Sequence, residues 1–151
     1  MSNRPYDARY EPRPGEQAAG EELRYRRFLD ALGRAGLGSA ERTERCTVAV
    51  LRHLEARLTG PEARDLKKEL PWALRDRLRG EERHPRSRPE RFGRTELVER
   101  VAEEIGVDPL EAERITRAVF AVTRSVLSEK EASDVQAQLP PDLAALWAPP
   151  S

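Results

Sequence analysis

Apolar residues fall along this chain at the three- and four-residue spacing that lines one face of an α-helix. Tyr25, Phe28, Leu29, Leu32 and Ala35 predict a first helix, stopped by Gly36-Leu37-Gly38. A second, longer helix is predicted from Ser39, with Cys46, Val50, Leu54 and Leu58 as its buried stripe and charges such as Arg42 and Glu55 on the opposite face. Thr59-Gly60-Pro61-Glu62 then has the form of a capping box. In that motif the hydroxyl accepts from the amide three residues on, and the Glu reaches back to the amide of the capping residue. The helix it starts carries Ala63, Leu66 and Leu70 and ends before Pro71, which can open a short fourth helix bearing Leu74 and Leu78.

The same series returns in the second half. Leu97, Val98, Val101 and Ile105 precede Gly106. Asp108-Pro109 caps and opens a long helix with Ile115, Val119, Val122 and Val126 inside and Glu111 and Arg117 outside. Ser128-Glu129-Lys130-Glu131 forms a second capping box ahead of Ala132, Val135 and Leu139, and Pro140-Pro141 leads into Leu143, Leu146 and Trp147. An ungapped offset of 69 residues pairs Leu58-Thr59 with Leu127-Ser128, Glu62-Ala63 with Glu131-Ala132, Asp65 with Asp134, and Leu70-Pro71 with Leu139-Pro140. Upstream it pairs Glu44, Arg45 and Thr47 with Glu113, Arg114 and Thr116. Recurrence at one fixed offset is the signature of a duplicated unit. The expected fold is therefore all-α, a four-helix repeat in tandem. A half of roughly 55 residues buries little core alone, so the halves are expected to pack as one compact domain about a pseudo-twofold relation.

Residues 1–20 carry Pro5, Pro12, Pro14, Gly15 and Gly20 among charges and show no apolar face, so a disordered, solvated tail is expected there, the alternative being a docking peptide that uses Tyr6 and Tyr10. Residues 21–148 form the single helical domain: repeat one at about 24–79, an Arg-rich linker at about 80–92, and repeat two at about 93–147. With 38% hydrophobic and 36% charged residues, the chain reads as globular rather than disordered throughout. No apolar run approaches the ~18 residues needed to span a bilayer, and the first residues lack a signal-peptide core, so a cytoplasmic location without membrane association is expected. Cys46 is the one cysteine, which rules out an intrachain disulfide.

The segments RLTGPEARDLKKELP and VLSEKEASDVQAQLPPDLAALW, preceded by FLDAL and LVERVAEEIGV, resemble the bacterial family called domain of unknown function 2267. The likeness covers about residues 24–147. It implies the tandem all-helical layout and brings no catalytic residues with it. Repeat one departs at Gly36-Leu37-Gly38 and has no counterpart of Trp147.

The reactive inventory is small. Cys46 and His53, seven residues apart on one helix, could make a thiolate beside an imidazole. Their counterparts are Ile115 and Val122, however, which assigns both to the core. Glu81 and His84 have the Glu-x-x-His spacing of di-metal bundles, but once only and in the linker, where further inward-facing carboxylates are missing. No catalytic residue, metal or cofactor is expected, and the chain is not read as an enzyme.

Charge directs the rest. The chain has 27 basic and 27 acidic residues, so no long-range field draws it to phosphate. Locally, residues 75–94 hold eight Arg against four acidic residues. Arg83, Arg86, Arg88 and Arg91 are therefore the candidate contacts to phosphates or to a partner. The expectation is a protein-interaction or scaffolding module whose partner is a protein, self-association being the simplest case. The alternative is a nucleic-acid-associated protein working through the Arg-rich linker.

Overall fold

The computed structural model describes residues 14–79 and 88–149. Among them it is all-helical, with eight helices in chain order: α1 (Pro14–Arg34), α2 (Ala40–Ala56), α3 (Gly60–Glu69), α4 (Trp72–Leu78), α5 (Arg94–Ile105), α6 (Pro109–Val126), α7 (Glu129–Ala137) and α8 (Pro141–Trp147). The family of buried apolar side chains forms one continuous core that draws on every helix. α2 packs on α5 and α6, α1 on α2, α4 and α6, α3 on α7, and α8 on α5, α6 and α7. No described helix is long and apolar enough to cross a membrane.

Helix ends follow local chemistry. Ser39, Thr59, Asp108 and Ser128 cap α2, α3, α6 and α7, each side chain accepting from the amide three residues on. α5 ends at Gly106, whose φ of 83° lies in the left-handed region that a side chain disfavours. Gly93 precedes α5 for a different reason. A Cβ there would lie 2.6 Å from an Asp142 carboxylate oxygen, and that carboxylate accepts the Arg94 amide that opens the helix. Trp147 locks the other end of the second half. Its ring meets Phe120 edge-on at 5.2 Å, and its indole N–H donates to the Ala132 carbonyl at 3.0 Å.

Three expectations are corrected. The capping boxes are only half made. The Thr59 amide donates to Gln138 Oε1 at 2.9 Å and the Ser128 amide to Glu69 Oε1 at 2.7 Å, so acceptors from the facing helix replace the local Glu. The stretch 14–20, read as tail, is the first part of α1. Glu21 accepts the Trp72 amide at 3.0 Å and Arg24 donates to the Glu69 carbonyl, which fastens this helix to the α3–α4 corner; the remainder of the expected tail lies outside the described residues. The linker is anchored where it re-enters: the Glu90 amide donates to the Ala56 carbonyl at 2.7 Å, and Phe92 is buried beneath the Arg100 guanidinium, 4.3 Å away. Finally, Glu55 is not on a solvated face. It is 2% exposed, with Nζ of Lys67, a residue of α3, 3.8 Å from Oε2.

The caps make a direct test. Thr59→Ala and Ser128→Ala each remove an amide acceptor and should each lower unfolding free energy by about 0.5–2 kcal/mol in urea titrations. An unchanged midpoint in both would contradict the assigned helix starts.

Candidate functional site

Glu62 and Glu131 are the third residues of α3 and α7, where a carboxylate is favoured by the exposed amides and the helix dipole. Relieved of the capping amides by Gln138 and Glu69, both turn into the seam between the two helices. They are 8% and 5% exposed. No donor among the described residues reaches Glu62 Oε1 or Glu131 Oε2, which are fully buried. Asp65, one turn along α3, completes a cluster in which one oxygen from each residue lies within 4.8 Å of the others.

Two carboxylates this close and this buried cannot both ionise cheaply. Burial, then a hydrogen bond to Glu62, then the charges of Glu62, Glu69 and Asp65 push the Glu131 carboxyl up to about 8. Below that pH Glu131 favours its neutral form beside Glu62. The sequence reading placed both residues in capping boxes and missed this cluster. Its signal was present in the 69-residue offset: two acidic positions that coincide under it and sit at helix starts.

The candidate Arg residues are only partly brought together. Arg83 and Arg86, with Glu81 and His84, lie outside the described residues. Arg88 and Arg91 are exposed and border a surface depression of about 820 Å³ with Arg57, Phe92 and Asp142. Arg57 is committed there, donating to the Glu90 carbonyl at 2.7 Å.

A second depression, about 480 Å³, runs between α1 and α6. Its floor is Phe28, Ala31, Val122 and Val126, its rim is Arg24 and Arg27, and Leu23, 43% exposed, stands at one end. No sequence pattern placed this groove, because it arises where α1 meets α6; of its described lining only Gly20 lies in the part taken for tail.

Cys46 and His53 do not form a reactive pair. Seven residues along a helix separate them by roughly 10 Å axially. Cys46 is fully buried, and that burial pushes its thiol up, whereas His53 Nε2 faces Glu104 Oε1 at 3.3 Å on α5. A thiolate-selective reagent should therefore leave Cys46 unmodified in the folded protein and react once denaturant is added. Rapid labelling under native conditions would contradict the burial.

The carboxyl pair predicts a pH dependence. The folded protein holds the Glu131 proton to about pH 8, whereas an ordinary Glu releases it near 4.5. The stability linked to this proton is thus complete below about pH 4.5 and lost as pH rises through about 8. In EDTA, Glu131→Gln should unfold at a higher temperature than the wild type at about pH 9 and lose much of the decline between about pH 5 and 9. Parallel pH profiles for the two proteins would contradict the assignment.

Comparison with curated proteins finds none that matches this chain. A family model does, over residues 25–146, which takes in all the helices from the middle of α1 to the last turn of α8. The chain belongs to the family described as Uncharacterized conserved protein (DUF2267).

Proposed function

We propose that this chain is a non-enzymatic protein-interaction module of the cytoplasm, built from two copies of a four-helix unit in a pseudo-twofold relation. Several interactions support the internal relation by recurring at the offset of 69. Thr59 meets Gln138 as Ser128 meets Glu69. The Thr47 hydroxyl donates to the Thr43 carbonyl at 2.8 Å, and the Thr116 hydroxyl to that of Ala112 at the same distance. Glu44 accepts from Tyr25, and Glu113 from Arg94 at 2.7 Å. Packing follows the same exchange. α1 lies on α6 as α5 lies on α2, while α2–α6 and α3–α7 each join a helix to its own counterpart.

The observation that carries the interaction reading is the α1–α6 groove. α1 has 21 residues and α5 has 12, and the groove forms along the part of α1 that includes Gly20, Leu23 and Arg24. An apolar floor with Arg24 and Arg27 on the rim suits an amphipathic helix whose flanks are acidic. Such a helix could belong to another protein or to a second copy of this chain. Leu23→Glu places a carboxylate at the mouth and reverses that complementarity. A partner recovered on immobilised wild-type protein should be lost on Leu23→Glu, while circular dichroism shows equal helicity. Sedimentation of both proteins separates self-association from a foreign partner. Equal recovery on the variant would remove the groove as the docking site.

The second reading, phosphate contact through the linker, draws on Arg88 and Arg91 standing exposed beside Arg57. It requires binding to DNA or RNA that weakens steeply with salt and disappears when Arg83, Arg86, Arg88 and Arg91 are all replaced by Gln. Micromolar binding near physiological salt with that behaviour would displace the protein-interaction reading.

A further inference from the structure

We propose that Glu62, Glu131 and Asp65 bind a hard divalent cation at the seam between α3 and α7. This site is separate from the α1–α6 groove and stands whether or not that groove docks a partner. Two features point to it. Oxygens bound to one such ion at about 2.1–2.5 Å lie about 3–5 Å from each other, and the three carboxylates already offer oxygens within 4.8 Å. The two buried residues each present an oxygen, Glu62 Oε1 and Glu131 Oε2, that no donor among the described residues satisfies. A buried acceptor with no donor is costly, and a cation answers that deficiency for both at once.

The donor set fixes the class of ion. It is all carboxylate oxygen, without thiolate or imidazole, and so suits Ca²⁺, Mg²⁺ or Mn²⁺ rather than zinc or copper. The arrangement also provides an entrance. The Asp65 side chain is 55% exposed, so the ion can enter from water and keep water on its outer positions. Asp65 is only loosely held by Lys68, at 3.9 Å. Its counterpart Asp134 is bound by Lys130 at 2.8 Å, which directs it away from the same task. Glu69 adds negative charge nearby, while its carboxylate is occupied by the Ser128 amide and hydroxyl.

The test is isothermal titration of the full-length protein, stripped with EDTA, by CaCl₂, MgCl₂ and MnCl₂ separately at about pH 8. At least one ion should bind one-to-one with Kd below about 1 mM. Glu131→Gln and Asp65→Asn should weaken that binding at least about tenfold. Asp65 is on the surface, and Glu131→Gln removes one of two buried carboxylates that face each other, so both variants should unfold in EDTA at temperatures no lower than the wild type. Absence of saturable binding for all three ions up to several millimolar would overturn the site. Binding that survives in either variant within tenfold would overturn the ligand assignment.

Discussion

The first amides of a helix have no partner inside it, and the seam between α3 and α7 is built on how two of these are satisfied. Glu69 accepts the Ser128 amide and Gln138 accepts the Thr59 amide. Each helix thus supplies from its last turn or C-cap what the other lacks at its start, which holds the pair in register. The same exchange releases Glu62 and Glu131 from capping and sends them inward, where they meet. A favourable backbone arrangement therefore carries an electrostatic cost, borne by a proton or, on the proposal above, by a cation.

Around this seam the helices are tied by side chains that reach distant backbone ends rather than by surface ion pairs alone. Arg114 donates to the Ala35 and Gly36 carbonyls at the end of α1, at 3.2 and 3.3 Å, and Arg42 to the Leu37 carbonyl at 2.6 Å. Glu21 and Asp142 accept the amides that open α4 and α5. These contacts answer unpaired groups at the end of α1 and at the starts of α4 and α5. The exposed ion pairs, by contrast, add little each.

The helices themselves were legible in the sequence. Apolar spacing, Ser39, Thr59, Asp108 and Ser128 as caps, and Gly106 as a stop all carry local signals, and local signals need no knowledge of the partner helix. What the sequence concealed was long-range. Glu62 and Glu131 look like capping-box residues until Glu69 and Gln138 are seen to take their place, and those lie 59 and 79 residues from the amides they accept. Residues 14–20 lack an apolar face and so gave no helical period, yet Glu21 and Arg24 pin that segment to another corner of the fold. Glu55 reads as a surface charge because nothing near it in sequence announces Lys67 as its cover. The linker Arg cluster drew attention by composition, while the more unusual chemistry lay in two glutamates of ordinary appearance.

The account turns on the claim that Glu62 and Glu131 share a buried seam and cannot both be charged at neutral pH. Carbon-detected NMR of the side-chain carboxyls, followed across pH in metal-free protein, observes that directly. The Glu131 carboxyl should titrate near pH 8. A Glu131 titration near 4.5 would show a solvated carboxylate and contradict the account.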